Sequence, residues 1–473
     1  MGTERRPSVS LTMIVRDSAS TLDRCLASIE GILDEWIIVD TGSKDGTQDV
    51  ARQRGAHLVE MTWPDSFALA RNEALTHATG DWIVWLDADE WLDAQNALRL
   101  RTLVQSLHDL PHVYFMEQRS PIGSTAISVV QPRLFRRLPA VQWVHRVHEQ
   151  ILPACLARGD RPTATDIVIH HDGYVSSADA ASKRERNLRL IEAEYRARPD
   201  DPWVAFQLAQ ALIETRPTEA ESLLARTLAS IQENDPLERA LASAWARSIR
   251  LQDRWDDPAV LRRVRDWLRR YPNDTELLST LGTLSYQRGD LESAAQAFDA
   301  LRASQPDDAE WFVSVDRSLR SAQATHNLAS VRVRQGRLAE AEALWRSLLD
   351  VNPRDVSSSI GLAEVLLTER RFAEFDAILA PLEARSSREQ RDLDMLTARG
   401  QLERREFASA VEQLQRLIRE NRDDLAAHLL LARAHLLGGG DLDAAEDALC
   451  EALRIDPTHA EARRCLDALR ELE

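Results

Sequence analysis

Long apolar runs are missing from this chain. None approaches the roughly 18 residues that a membrane-spanning helix requires. No early stretch joins a basic start to an apolar segment as a secretory signal does, so the sequence predicts a soluble, cytoplasmic protein. Cysteine is scarce. The four present, Cys25, Cys155, Cys450 and Cys465, are scattered and form no C-x-x-C pair. That spacing argues against a disulfide framework and against a zinc site. Lysine is scarcer still, with Lys44 and Lys183 alone among 59 basic residues. A net charge of −17 leaves no basic face for nucleic acid.

What the chain does contain divides into two patterns. Its 473 residues exceed what one hydrophobic core normally supports, so two or more domains are expected. Up to residue 182, short apolar strands alternate with amphipathic helices. Ser10–Val15, Trp36–Asp40, His57–Met61 and the segment from Trp82 read as strands. Helices are expected from about Ser20, over Thr47–Arg54 and over Ser66–Thr76. This order predicts an α/β domain built on a mostly parallel sheet, with ligands beyond the carboxyl ends of its strands. Asp40 and Asp87 stand at two such ends.

From residue 183 to 473 the strand pattern stops and an Ala-, Leu-, Arg- and Glu-rich helical pattern takes over, with 183–199 as a connecting helix. One unit, Thr275 to Asp308, carries Gly282, Ala294, Phe298 and Pro306. A second, Ala322 to Asp355, carries Ala329, Ala341, Trp345 and Pro353 at matching offsets. A last one carries Ala432, Ala445, Leu449, Ala452 and Pro457, with one residue added near Gly438-Gly439-Gly440. Asp200–Arg270 and Val356–Asp424 fit more loosely, and about 13 residues near Glu310–Arg320 interrupt the array. Small residues where helices cross and a period of about 34 resemble the tetratricopeptide repeat, an all-α solenoid whose groove usually binds peptide or protein.

The chemistry concentrates in the first part. Asp81 to Glu90 is a buried strand ending in Asp87-Ala88-Asp89. On an extended chain positions i and i+2 point the same way, so the two carboxylates are expected to converge beyond the sheet edge. Hard oxygen ligands suit Mg²⁺ or Mn²⁺ with positions left for phosphate oxygens. A plain acidic turn is the alternative. Val39 to Thr47 follows the second strand, with Gly42 and Gly46 for a tight turn and Thr47 as a helix cap. Asp40 there is placed to accept the imide N–H of a uracil; a turn without ligand is again the alternative.

Four segments together resemble glycosyltransferase family two, of the GT-A fold: Met13-Ile14-Val15-Arg16-Asp17, Val39 to Thr47, Trp63 to Asn72, and Asp81 to Glu90. The group that joins this transferase to tetratricopeptide repeats, which includes the peptide S-glycosyltransferases, is the nearest likeness. The resemblance implies a nucleotide-sugar donor, a UDP-sugar first, and a divalent metal. It assigns the base to the backbone near Val15, to Asp17 and to Asp40. Arg71 goes to the diphosphate or donor sugar, or pairs with a structural carboxylate. Asp87 with Ala88 goes to the ribose and the metal's surroundings, and Asp89 to the metal itself. Gln142 to Gln150 resembles the family's W-x-G-R-V-H-E segment, which implies Glu149 as general base, with a helix-start or salt-bridge carboxylate as the alternative, His148 as its orienting partner or an acceptor contact, and Trp143 as either a sugar platform or a core residue. Ile169 to Tyr174 resembles H-x-G-Y, with His171 as third metal ligand and His170 as its rival.

Two departures stand out. Ser18 occupies the place of a family glutamate, and His145 the place of a glycine that would let the backbone approach the diphosphate. The resulting expectation is a metal-dependent inverting glycosyltransferase acting on a peptide or protein side chain held by the repeats, with self-association into a homodimer left open. The alternatives are transfer to a surface polysaccharide or lipid-linked glycan, with the repeats recruiting a partner, and a scaffold with a degenerate transferase domain.

Overall fold

The computed structural model describes residues 6–108, 111–122, 125–171, 177–232, 235–252, 256–304, 319–384, 386–439 and 441–470. Two compact units divide the chain, Met1–Ala324 and Thr325–Glu473. The change of pattern at 182/183 therefore falls inside the first unit.

The first unit begins with β1 (Val9–Val15), α1 (Ala19–Ser28), β2 (Glu35–Asp40), α2 (Thr47–Gln53), β3 (His57–Glu60), α3 (Phe67–His77) and β4 (Trp82–Trp85). It continues with β5 (Glu90–Trp91), α4 (Ala94–Ser106), β6 (His112–Ile122), β7 (Thr125–Arg136), α5 (Leu152–Ala157) and β8 (Arg161–His171). The strands make one eight-stranded sheet in the order β3-β2-β1-β4-β7-β6-β8-β5. β3, β2, β1 and β4 run parallel, as strand–helix alternation requires. The other half departs from a parallel sheet: β7 pairs antiparallel with β4 and β6, and β5 pairs antiparallel with β8.

Strand alternation sets the two faces. Trp82 and Val84 of β4 join Leu11, Leu26 and Leu100 in one core layer, while Ile83 and Trp85 join Val39, Ala74 and Phe135 in the other. α3 is started by Ser66, whose hydroxyl accepts the Leu69 amide at 3.3 Å, and α4 by Asp93, which accepts the Asn96 amide at 2.8 Å.

Helices follow: α6 (Ser177–Ala197), α7 (Pro202–Leu212), α8 (Pro217–Ser230), α9 (Pro236–Arg250), α10 (Pro258–Arg270), α11 (Thr275–Gln287) and α12 (Leu291–Ala303). The remainder is α13 (Ala322–Arg334), α14 (Leu338–Val351), α15 (Val356–Thr368), α16 (Phe372–Leu379), α17 (Ser387–Glu403), α18 (Phe407–Glu420), α19 (Leu425–Leu437), α20 (Leu442–Ile455) and α21 (Ala460–Arg470). Aspartates start many of them. Asp201, Asp235 and Asp257 each precede a first-turn proline and accept a backbone N–H of the helix they open.

Aromatic side chains seat in gaps left by glycine. A Cβ at Gly282 would lie 2.6 Å from the Phe298 ring, and one at Gly361 would lie 2.4 Å from Trp345. Gly361→Ala is therefore expected to destabilise the chain by about 1–3 kcal/mol, read as a lower urea midpoint by tryptophan fluorescence. An unchanged midpoint would contradict this packing. Among the described residues no helix is long and apolar enough to cross a membrane. Pro306, Asp308, Gly440 and most of the expected interruption near Glu310–Arg320 lie outside the described residues, as do Asp172, Gly173 and Tyr174.

Candidate active site

β4 stops at Trp85, and the chain then turns. The Glu90 amide donates to the Asp87 carbonyl at 3.1 Å, so Asp87 and Asp89 sit on a turn and not on alternate positions of an extended strand. The cause is Glu90, which is fully buried. Its carboxylate receives both Arg133 terminal nitrogens, at 2.6 and 2.7 Å, the Gln118 amide at 2.7 Å and the Asp87 N–H at 2.8 Å. Arg133 in turn lies 3.7 Å from the centre of the Trp85 ring. Ala88 is buried between the two aspartates. Despite the turn, Asp87 and Asp89 line one cleft of about 690 Å³, together with Arg71, Trp143, His148, Glu149 and His171.

Arg71 ties this cleft together. Its Nη2 donates to Asp87 at 2.9 Å and its Nε to Glu149 at 2.6 Å, and its guanidinium lies 4.2 Å from the Trp85 ring centre. Burial alone would lower the Arg71 pKa, but the charges of Asp87 and Glu149 prevail, raise it and keep it cationic. Arg71 takes the Glu149 Oε1; among the described residues Oε2 has no hydrogen-bond partner.

His171 and Asp89 meet on the other side, with Nε2 and Oδ2 3.2 Å apart. Ser120 contacts the His171 Nδ1 at 2.8 Å and so fixes the ring. His170 turns elsewhere: it contacts Asp93 at 2.9 Å and stacks on Trp91 at 4.6 Å. Burial pushes the Asp89 carboxyl up, but the His171 hydrogen bond prevails and holds it below its ordinary value. Among the described residues no group of three His, Cys, Asp or Glu side chains encloses a metal position. The Asp89–His171 pair does suit a divalent ion that takes further ligands from a substrate. Its spacing matches adjacent octahedral ligands, roughly 3 Å apart for bonds of about 2.1 Å.

The segment carrying Glu149 is held from behind. Val144 and Gln150 exchange two backbone hydrogen bonds of 3.0 Å, closing the loop. His145 and His148 have φ of 74° and 52°, left-handed values that cost a non-glycine residue about 1–3 kcal/mol. His145 thus keeps the backbone conformation that a glycine would adopt, and its imidazole contacts Glu194 of α6 at 3.2 Å. Glu194 also accepts the Arg146 N–H at 2.7 Å and pairs with Arg198. Val147 packs with Leu190, Ile191 and Phe206 of α6 and α7. Protein crowds the His148 ring, which remains open to the cleft, and lowers its pKa against a weaker upward pull from Glu149. Trp143 is 4% exposed, edge-on to Trp85 at 5.3 Å, and its backbone is clamped by Asn72 through bonds of 2.8 and 2.9 Å. It forms the core border of the cleft.

Val15, Asp17 and Asp40 sit apart from that cleft, at the adjoining ends of β1 and β2. The Val15 carbonyl accepts the Thr41 amide and hydroxyl, both at 3.0 Å. Asp17 accepts the Lys44 amide at 2.7 Å. The Asp40 carboxylate is engaged by Gly42 and Ser43 amides and by Gln48 at 2.8 Å. Burial raises the Asp40 pKa, but these hydrogen bonds outweigh it and hold the group low. Gly42 supplies the turn with φ of 99°. Thr47 does not cap α2: Asp45 accepts its amide at 2.9 Å, and the Thr47 hydroxyl receives the Ser18 N–H at 2.7 Å.

A model of glycosyl transferase family 2 matches residues 10–143, and one of the tetratricopeptide repeat matches 261–311, 326–384 and 395–460. The chain joins a family 2 glycosyltransferase domain to tetratricopeptide repeats. His148, Glu149 and His171 of the transferase region lie beyond the matched span. A TPR repeat-containing protein of Synechococcus elongatus is 33% identical over 301 residues, 62% of this chain and 65% of that protein. The SPbeta prophage-derived glycosyltransferase SunS of Bacillus subtilis is 25% identical over 215 residues, 42% of this chain and 48% of SunS. Glycosyltransferase AglJ of Haloferax volcanii is 24% identical over 170 residues, 35% of this chain and 54% of AglJ. The chain thus spans about half to two thirds of each of these relatives.

The cleft also holds residues that the motifs did not announce. Lys183, Arg186 and Asn187 of α6 and Trp203, Gln207 and Gln210 of α7 line the same cleft. In α7 these positions repeat at helical spacing, a signal present in the sequence. For its hold on the Glu149 loop Glu194 had none, because its partners there, Arg146 and His145, are 48 and 49 residues away.

Proposed function

We propose that this protein is a metal-dependent inverting glycosyltransferase that moves a sugar from a nucleotide-sugar donor, a UDP-sugar first, to a peptide or protein side chain, in the cytoplasm. One observation carries the reading: a carboxylate–imidazole pair fit for a metal and a carboxylate fit for proton transfer line one cleft, bridged by Arg71. A divalent ion bound by Asp89 and His171 would neutralise charge on the departing diphosphate. Asp87, held by Arg71, stands beside that position.

In single displacement, the acceptor heteroatom bonds to the anomeric carbon while the bond to the β-phosphate oxygen breaks and its electron pair leaves with the diphosphate. The acceptor's proton passes to Glu149. The unpartnered Oε2 is the atom for this, while Arg71 steadies Oε1. The α7 face supports a polar, uncharged acceptor chain, since Trp203 offers an aromatic surface and Gln207 and Gln210 offer amides that donate and accept.

The test is release of UDP from UDP-sugars with Mn²⁺, without acceptor, by the full chain. Slow hydrolysis abolished by a chelator is the expected result; neither hydrolysis nor binding of any nucleoside diphosphate would overturn the reading. Glu149→Gln should lower turnover with acceptor by about 10²–10⁴-fold while leaving UDP affinity unchanged. Intact-mass analysis of co-expressed candidate proteins identifies the acceptor, and a mass increment on glycan alone would exclude the protein acceptor.

A further inference from the structure

Helix α6 presents Lys183 and Arg186 to the cleft that Asp87, Asp89 and His171 line from the sheet. The Arg186 guanidinium lies 5.2 Å from the centre of the Phe67 ring. Its hydrogen bonds, of 3.3 and 3.2 Å, run to Asn187 beside it. Among the described residues no carboxylate pairs with Arg186. Two other arginines of the same site, Arg71 and Arg133, each meet a carboxylate. Burial is the first cause of a lowered Arg186 pKa, and the like charges of Arg16 and Arg189 add to it.

A guanidinium that meets no carboxylate among the described residues and lines a cleft, on a chain of net charge −17, marks a place for an anion. The opposite wall narrows the choice. Asp87 and Asp89 repel a bare anion, so the ligand that satisfies both walls is an anion accompanied by a divalent cation. A nucleoside diphosphate meets that description, with the cation toward Asp89 and His171 and phosphate oxygens toward α6.

We infer that Arg186 binds the diphosphate of the donor and stabilises it as leaving group, an assignment that rests on the transferase reading above. As the sugar–phosphate bond breaks, its electron pair settles on the β-phosphate oxygen. A guanidinium held over Phe67 offers planar N–H donors to phosphate oxygens, which a freely rotating ammonium cannot reproduce in full. Donors aimed at charge that develops during the reaction lower its barrier. Lys183 contributes from the same wall, since its charge reaches Asp89.

The experiment uses the full chain with Mn²⁺ and compares wild type, Arg186→Gln and Arg186→Lys. UDP binding is measured by calorimetry, uridine binding by saturation-transfer NMR, and donor hydrolysis by UDP release. Arg186→Gln should weaken UDP binding by about 10-fold or more and slow UDP release by about 100-fold, with uridine binding unchanged. Arg186→Lys should recover part of both losses. Equal UDP affinity in wild type and Arg186→Gln overturns the assignment and leaves the transferase reading standing. Parallel loss of uridine and UDP affinity gives Arg186 a purely structural role and also overturns it. Wild-type protein that binds no nucleoside diphosphate overturns both readings together.

Discussion

Asp89→Asn is expected to lower sugar transfer and donor hydrolysis by about 10²–10³-fold, the range seen when one charge-stabilising group leaves an active site. The substitution keeps the size of the side chain but removes the negative charge proposed to hold a divalent ion. His171 alone then remains of the pair that stands 3.2 Å apart in the wild type. Mn²⁺ affinity in the presence of UDP, followed by electron paramagnetic resonance, should fall with turnover. The fold should survive, because Asp89 is half-exposed and, among the described residues, its side chain hydrogen-bonds His171 at the cleft and not the core. An Asp89→Asn protein of undiminished turnover would overturn the metal role proposed for Asp89.

Arg133→Met should cost about 3–5 kcal/mol of stability, the range for removing one partner of a buried ion pair. Both side chains of the Arg133–Glu90 pair are wholly inaccessible to water. Methionine fills much of the volume but leaves the Glu90 carboxylate charged in the core, and burial then pushes the Glu90 carboxyl up further. The sign of the pH dependence follows. With its folded pKa above the unfolded one, Glu90 binds its proton more tightly in the native state, so lowering the pH through the folded pKa narrows the deficit. Thermal unfolding of both proteins between pH 5 and 8 measures this. A deficit that widens toward pH 5 would contradict it.

The periodic parts of the fold were legible. Four apolar runs with helices between them led to the parallel half of the sheet, since burial on two faces leaves a plain mark on β4. β6, β7 and β8 were not read: β6 and β7 form an antiparallel hairpin that strand–helix alternation does not announce, and β8 pairs with β6 across a long stretch of sequence. The candidate site shows the same division. Asp89, His171, Arg71 and Glu149 were found as motif positions and share a cleft. The reason offered for Asp87 and Asp89 was wrong: a buried glutamate at position 90, not strand alternation, sets their geometry. Thr47 gave way to Asp45 because a hydroxyl in the first helical turn found better partners in Asp45 and Ser18. The histidine that replaces a glycine at position 145 adopts the glycine's conformation, and Glu194 is what holds it there.

That last contact bears on how such proteins can be taken apart and recombined. The loop bearing Glu149 is templated by Glu194, Leu190 and Phe206, all of them supplied by helices after the sheet has ended. A fragment cut at the last strand would keep the turns at Val15 and Asp40 and lose the mould for the Glu149 loop. Exchanging the helices between two relatives would therefore also exchange the support of the Glu149 loop.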